Sequence, residues 1–280
     1  MERRNGNQGP GIVTAQGKGQ LLLRRIGNTK IKILGINSSK REKSNPATQH
    51  DSFSRILLKI GLDYVQNKYA DVQTEIIDLG KYKIEYEDGA YSSDENFCQM
   101  AYPTTQDDML KLYPKMLEAD GVIFASPTYW GYPSALLKSF IERLTVMDEI
   151  SDDPRRRRLQ GKVAGAISVA KFDGSSRVAQ DILSMANYLG FIIPPHSFAF
   201  HTGRTTTSVI EDDQDFEEDY YAKRNAEVVA DNIYLMIKLV QQFNDWRIFQ
   251  EHTHPLSENE AKGIFNLNEE RKRYAANYTS

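Results

Sequence analysis

The sequence GVIFASPTYWGYPSALLKSFIERL, residues 121–144, decides the fold class of this chain. It begins with an apolar run at residues 122–125, whose length predicts a fully buried strand. An aromatic-rich turn at residues 126–133 follows, and helical periodicity starts immediately after it. A strand, a short loop and a helix in this order form half of a βαβ unit. Loops of this kind lie at the carboxyl edge of a parallel sheet, where ligands bind.

The residues of this turn suggest a planar ligand. Pro127 fixes one backbone angle, and Gly131 allows the main chain to approach a bound group closely. Three side chains offer flat faces, namely Tyr129, Trp130 and Tyr132. An isoalloxazine ring, which is planar and edged with carbonyls and ring nitrogens, suits such a surface. The alternative is an ordinary strand–helix turn in which these aromatic side chains only pack.

Strand and helix patterns alternate about five times along the chain. Strands are predicted at residues 31–36, 72–79, 122–125 and 162–169 and from Phe191 onward. Helices are predicted from Ser52 onward and at residues 106–118, 136–144, 178–189 and 221–243. Residues 201–220 are predicted to be irregular, with a solvated acidic run. This alternation predicts an α/β fold whose parallel sheet is covered on both faces.

The segment after the first strand is predicted to bind an anion. It contains hydroxyl side chains and a polar insertion, and a helix starts near Ser52. The first-turn N–H groups of a helix are unpaired and the helix dipole is positive there, so a phosphate binds well. The alternative is plain capping of the helix by Asp51 or Ser52. A cap and a phosphate use the same amides, so the two interpretations are compatible.

The turn also resembles a known family. Residues 126–131, followed by Ser134, Leu137, Lys138, Phe140, Ile141 and Arg143, resemble the second flavin-binding loop of the NAD(P)H-dependent FMN reductases. These belong to the flavodoxin-like superfamily, and within it the chain is most similar to the iron-sulfur flavoproteins. The resemblance covers residues 30–244. It implies a flavodoxin-like, doubly wound, five-stranded parallel sheet of order 2-1-3-4-5 with helices on both faces.

The resemblance implies FMN as the cofactor, held by three loops, with the chemistry carried by FMN and no catalytic side chain. The implied phosphate-binding residues are Ser38, Ser39, Arg41, Ser52 and Ser54. The implied ring-binding residues are Pro127, Thr128, Tyr129, Trp130 and Gly131, together with Lys171, Asp173 and Gly174 in a third loop. The chain departs from the family in an insertion at residues 43–49 and in having fewer glycines in the third loop.

The implied activity is hydride transfer from NADPH or NADH through FMN to a quinone, a free flavin or a similar small acceptor. One alternative is a flavodoxin-like electron carrier that serves a protein partner without oxidising a nicotinamide. Another is a flavin-free binding protein on the same scaffold. The four arginines at residues 155–158 either hold the extra phosphate of NADPH or form a solvated face or a subunit contact.

Iron-sulfur flavoproteins ligate a [4Fe-4S] cluster through several cysteines in the segment after the second strand. Here that segment contains Cys98, which is the one cysteine in the chain. A cubane cluster normally needs four thiolates, so no iron-sulfur cluster is expected. The five histidines show no HExxH spacing, and no metal site is predicted.

Composition bounds the remaining expectations. The chain has 280 residues and a formal net charge of -3, which argues against nucleic acid as a partner. No apolar run approaches the roughly 20 residues of a membrane span. The start, MERRNGNQGP, lacks a secretory signal, so a cytoplasmic protein is expected. We expect an N-terminal extension at 1–29, an FMN-binding domain at 30–245 and a helical tail at 246–280. The resemblance implies a homodimer or homotetramer.

Overall fold

The computed structural model of the chain describes residues 30–42, 51–87, 107–147, 159–203 and 209–242. Several features of the sequence lie outside the described residues: the polar insertion at 43–50, Cys98, the four arginines at 155–158, and the terminal segments at 1–29 and 246–280. The expectations for these features stay predictions.

A parallel sheet forms the centre of the fold. Its strands are β1 (Ile31–Asn37), β2 (Val72–Asp78), β3 (Gly121–Tyr129), β5 (Val163–Ala170) and β6 (Phe198–Thr202), while the short β4 (Tyr132–Pro133) pairs antiparallel with β3. The order across the sheet is β2-β1-β3-β5-β6. When the parallel strands alone are counted, this is the order 2-1-3-4-5 implied by the family resemblance. The predicted α/β flavodoxin-like fold is confirmed.

Helices cover both faces of this sheet. They are α1 (Phe53–Lys68), α2 (Met109–Glu118), α3 (Ala135–Glu142), α4 (Ser175–Tyr188), α5 (Val209–Glu218) and α6 (Tyr220–Gln242), with 3₁₀ turns at Leu79–Lys81 and Arg143–Met147. Alternate side chains of each central strand enter different cores, as expected for strands buried on both faces. Phe124 packs with α2, α3 and α4, whereas its neighbour Ile123 packs with α1 and α6.

The turn after the third strand differs from its prediction. The sequence predicts a loop at residues 126–133, but β3 continues through Tyr129 and folds back into β4. Thr128 pairs with Pro133, and Tyr129 pairs with Tyr132. The loop prediction is wrong because two residues with positive φ angles are enough to reverse the chain in a hairpin. The residues on either side of the turn therefore remain paired as strands.

The end of the sheet also differs from its prediction. Ile192 makes only an isolated bridge with Val163, and the fifth parallel strand is Phe198–Thr202. Pro194 and Pro195 follow Ile193, and proline cannot donate to a sheet ladder, so pairing stops there. The irregular prediction for residues 201–220 is wrong for the described part of that range, while residues 204–208 lie outside the described residues. This segment contains the end of β6 and helix α5, which buries Phe216 against α1 and α6. Among the described helices, none combines the length and the apolar character needed to cross a bilayer.

Candidate functional site

Three loops meet at the carboxyl edge of the sheet. In the register of the strands, Asn37 lies opposite Ala125 and Pro127 lies opposite Val169. The segments that follow β1, β3 and β5 therefore emerge side by side. All thirteen predicted site residues lie on these segments, on the last three residues of β3 or at the start of α1. The structure brings them to one edge, while their roles in binding stay predictions.

We call residues 38–42 and 51–54 the anion loop. Its buried hydroxyls belong to Ser38, Ser39, Ser52 and Ser54. The Ser52 and Ser54 hydroxyl oxygens lie 2.8 Å apart, and the Ser39 hydroxyl oxygen accepts a hydrogen bond from the Arg41 amide at 3.3 Å. Ser52 also caps α1, because its hydroxyl oxygen accepts from the Arg55 amide at 3.4 Å. The capping interpretation is thus confirmed, and the Ile56 amide is bonded as well, to the Ser52 carbonyl at 2.9 Å.

Ser38, the fifth residue of the phosphate prediction, joins two loops. Its hydroxyl donates to the Ala125 carbonyl at 3.1 Å and accepts from the Ser134 hydroxyl at 2.8 Å. Ser134 also caps α3 by accepting from the Leu137 amide at 3.2 Å, and its own amide donates to the Ser126 hydroxyl oxygen at 2.9 Å. Ser134 therefore ties the anion loop to the segment after β3.

Sequence reasoning missed Arg55, which lies in the first turn of α1 and hydrogen bonds to the anion loop and to Asp78. Its Nε donates to Asp78 Oδ1 at 2.8 Å, and its Nη1 donates to Asp51 and to the Arg41 carbonyl. Burial lowers the pKa of Arg55, but the hydrogen bonds and charges of Asp78 and Asp51 outweigh burial, so the net pKa is raised above its ordinary value. The sequence feature that could have indicated a buried cation here was Asp78, a carboxylate at the carboxyl end of the strand that neighbours β1.

We call residues 126–133 the aromatic hairpin. Its turn residues, Trp130 and Gly131, have φ angles of 52° and 75°, the pair of positive values that a type I′ turn requires. The Trp130 side chain is 97% exposed, and Tyr129 and Tyr132 are more than half exposed. The Thr128 hydroxyl lies 3.0 Å from that of Ser168, which holds the base of the hairpin to β5.

The third loop, residues 171–174, lies against the tip of the aromatic hairpin. Gly174 has a φ of 79°, and a Cβ placed on it would lie 3.6 Å from the Gly131 Cα. Lys171 and Asp173 are exposed, and the Lys171 Nζ lies 5.8 Å from the ring centroid of Phe172. Phe172 is itself more than half exposed. Both loops therefore expose aromatic side chains at this edge of the sheet.

Arg143, one of the residues that carry the family resemblance, is buried away from the hairpin tip. It forms an ion pair with Asp107 and donates to the Glu85 carbonyl at 3.2 Å. The Tyr113 hydroxyl in turn donates to the Arg143 carbonyl at 2.9 Å. Arg143 thus holds α2 and the segment after β2 against the 3₁₀ turn that follows α3. Within the described ranges, no three His, Cys, Asp or Glu side chains come together as a metal site.

A parallel sheet of this order, with an anion loop after its first strand, defines a flavodoxin-like protein. The sequence profile of the NADPH-dependent FMN reductases matches residues 31–205, which is more than half of the chain. The chain therefore belongs to the NADPH-dependent FMN reductase family.

Two curated relatives are similar in sequence. The 8-demethyl-8-aminoriboflavin-5′-phosphate synthase of Streptomyces davaonensis is 29% identical over 136 residues, covering 49% of this chain and 52% of the relative. An iron-sulfur flavoprotein of Methanosarcina thermophila is 32% identical over 124 residues, covering 43% of this chain and 58% of the relative. The chain thus spans little more than half the length of these relatives.

Solved structures share the fold. The structure of RosB with bound 8-demethyl-8-formylriboflavin-5′-phosphate has a TM-score of 0.62 at 20% identity, covering 84% of this chain and 94% of RosB. An apo NADH:FMN oxidoreductase, EMOB, has a TM-score of 0.50 at 15% identity, covering 74% of this chain and 89% of EMOB. At these identities the likeness shows the fold.

Proposed function

We propose that this chain is an FMN-dependent oxidoreductase that accepts hydride from NADPH or NADH and passes the electrons to a small acceptor, such as a quinone or a free flavin. The observation that supports this proposal best is the pairing of an anion loop with an exposed aromatic hairpin at the same sheet edge. Membership of the FMN reductase family supports it independently. We also propose a homodimer or homotetramer, in which a second copy covers part of the aromatic surface.

The donors of the anion loop fit the phosphate of FMN. Ser39, Ser52 and Ser54 contribute three clustered hydroxyls, and the first turn of α1 contributes backbone N–H groups aligned with the helix dipole. Arg41 is exposed at the rim of the loop and would add a positive charge. In this proposal the hydroxyls and amides bind the phosphate, and Ser38 orients the loop through Ser134.

The aromatic hairpin and the third loop fit the ring. The amides of residues 128–131 would hydrogen bond to the pyrimidine edge, and Trp130 would cover one face of the ring. When bound, FMN would supply the two-electron chemistry. The amides would stabilise negative charge on that edge of the ring, so no side chain of the chain needs to act as an acid or a base. Lys171 and Asp173 would contact the ring from the third loop.

A second candidate is an enzyme that modifies a flavin phosphate as its substrate. The sequence similarity to the Streptomyces davaonensis synthase favours it, because the name of that relative describes a product built on riboflavin-5′-phosphate. Both candidates use the same anion loop. They differ in whether the flavin leaves the reaction unchanged.

The test is anaerobic reduction of the FMN-loaded protein by NADPH and by NADH, followed by addition of a quinone. We expect FMN to stay bound through gel filtration, to bleach with a nicotinamide and to recover its colour with the quinone. A protein that retains no FMN would contradict the proposal, and one that stays oxidised with both nicotinamides would be an electron carrier. A changed flavin mass after turnover would favour the second candidate.

Matched variants locate the binding site in the same experiment. Replacing both Ser52 and Ser54 by alanine should weaken FMN binding at least about tenfold, since hydrogen bonds to a charged group are lost. Ser184→Ala, which removes an exposed serine hydroxyl on α4 and not on α1, should leave FMN binding unchanged. Equal affinities in all three proteins would place the phosphate elsewhere.

A further inference from the structure

Arg55 stands among the phosphate-binding residues of the proposed function, yet its own N–H groups point to the protein. Its side chain is only 14% exposed. Nε donates to Asp78, Nη1 to Asp51 and to the Arg41 carbonyl, and Nη2 to the Ser39 carbonyl at 3.4 Å. A guanidinium carries five N–H groups, so these four bonds use most of them. Arg55 is therefore a poor direct ligand for a phosphate.

The partners of Arg55 are all hydrogen-bond acceptors of the anion loop and its surroundings. Two are carbonyl oxygens of the loop itself, at Ser39 and Arg41. Because the guanidinium holds these carbonyls, their negative ends face Arg55. Two partial negative charges of the loop are thereby paired with a cation, which favours an oxyanion over a neutral group at this site.

Arg55 also balances carboxylates in the loop and beside it. Asp51 and Asp78 each accept a hydrogen bond from it, and Glu42 Oε1 lies 3.9 Å from its Nη2. Asp78 has a second cation nearby, because its Oδ2 lies 3.7 Å from Lys81 Nζ. Without Arg55, the Asp51 and Asp78 carboxylates would repel a phosphate dianion in the loop more strongly. The ribityl chain of riboflavin carries no charge and would not experience this repulsion.

Asn37 connects this ion pair to the hydroxyl cluster. It is fully buried at the end of β1, and its amide donates to Asp78 Oδ1 at 2.7 Å and to the Ser39 carbonyl at 3.1 Å. Its carbonyl oxygen accepts from the Ser54 hydroxyl at 3.3 Å. Asp78 is thus linked through one buried side chain to the Ser54 hydroxyl of the anion loop.

We propose that Arg55, by balancing the carboxylates of Asp51 and Asp78, makes the anion loop selective for a phosphorylated flavin over riboflavin. Arg55 is a positioning residue in this proposal, and the phosphate contacts remain those of the serines and the helix amides. The inference rests on the proposed function, because it requires that a flavin binds at this edge. It goes further by assigning the discrimination between FMN and riboflavin to a network of side chains.

The experiment is a titration of FMN and of riboflavin against the apoprotein, followed by flavin fluorescence, at neutral pH and fixed ionic strength. The measured quantity is the ratio of the two affinities. Arg55→Met should lower FMN affinity roughly tenfold, as expected for loss of one positive charge beside a dianion, and should leave riboflavin affinity within about twofold. Added salt should reduce the difference between the variant and the parent.

Asp78→Asn supplies the opposite change of charge. It should raise the FMN-to-riboflavin ratio, and it tests the proposal even if Arg55→Met does not fold. The double variant, with both substitutions, has the net charge of the parent and should recover much of the ratio that Arg55→Met loses. Lys59→Met removes an equal charge from an exposed ion pair with Asp63 one turn along α1 and should leave the ratio unchanged.

The possible failures are distinguishable. If the parent protein binds neither flavin, the proposed function and this inference are both wrong. If the parent binds both flavins and Arg55→Met weakens them equally, Arg55 only supports the fold and the inference alone is overturned. An FMN-to-riboflavin ratio that is lower or unchanged in Asp78→Asn would overturn the inference as well. Charge balance requires the two substitutions to change the ratio in opposite directions, whereas a structural role does not.

Discussion

The substitution Trp130→Asn tests whether the turn of the aromatic hairpin stores backbone strain that its ligand offsets. Trp130 has a φ of 52° in a type I′ turn. A bulky L-residue in the left-handed region costs about 1–2 kcal/mol, whereas asparagine followed by glycine is favoured in this turn. The indole is 97% exposed, so its removal sacrifices almost no buried surface in the flavin-free protein.

The expected effects have opposite signs in the free and the bound protein. Without flavin, Trp130→Asn should raise the free energy of unfolding by about 1 kcal/mol. For a domain of this size, that corresponds to a rise in Tm of about 2–4 °C. FMN binding should weaken by about 1–2 kcal/mol, or roughly 5- to 30-fold, because an aromatic contact with the ring is lost.

The assays are urea unfolding of the apoprotein and fluorescence titration with FMN. Tyr188→Asn is the matched control, because Tyr188 is 85% exposed at the end of α4 and lies outside the positive-φ residues. It should neither stabilise the apoprotein nor alter FMN affinity. A Trp130→Asn apoprotein less stable than the parent would refute the strain argument. Unchanged FMN affinity would mean that the indole does not contact the ring.

Three further predictions follow from contacts elsewhere in the fold. Gly174→Ala should lower the free energy of unfolding by about 1 kcal/mol, because its φ of 79° is unfavourable for alanine although a Cβ would clash with nothing. A loss above about 3 kcal/mol in urea would contradict this. Arg143→Met should cost about 3–5 kcal/mol by leaving the Asp107 carboxylate, which is 3% exposed, without its cationic partner. Adding Asp107→Asn should recover part of that loss, and a double variant as unstable as the single one would argue against the ion pair. Burial and Asp71 raise the pKa of Tyr234 to about 12, above its ordinary 10.0. The folded state therefore holds the phenolic proton more tightly, and this stabilisation is complete below pH 10.0 and is lost as the pH rises toward about 12. Tyr234→Phe should flatten the decline in that window, and parallel urea profiles for the two proteins would contradict the assignment.

The central sheet could be predicted from local patterns because its strands are buried on both faces. The run at Ile31–Asn37 is nearly continuous in apolar residues, as are the first residues of β3. The order of the strands does not follow from such patterns, and it came from the family resemblance. The edge strand β6 was missed because Phe198–Thr202 is short and mixed, while the more apolar residues 191–193 end at two prolines.

The position of the candidate site could also be predicted, because loops that follow neighbouring parallel strands meet at one edge. The side-chain partners within it could not. Arg55 and Asp78 are 23 residues apart, and only the pairing of β1 with β2 brings them together. The hairpin turn was missed for another reason. A Trp-Gly pair is not the usual signal for a type I′ turn, and its positive φ angles became visible only in the folded chain.

The serine at position 134 has a practical consequence for protein engineering. Its hydroxyl reaches Ser38 across the sheet edge, while its amide reaches Ser126 at the root of the hairpin. The segment between β3 and α3 therefore cannot be exchanged independently of the residues after β1. A chimera that takes this segment from a relative must also take a compatible residue after β1. Otherwise the hydrogen bond that aligns the hairpin with the first loop is lost.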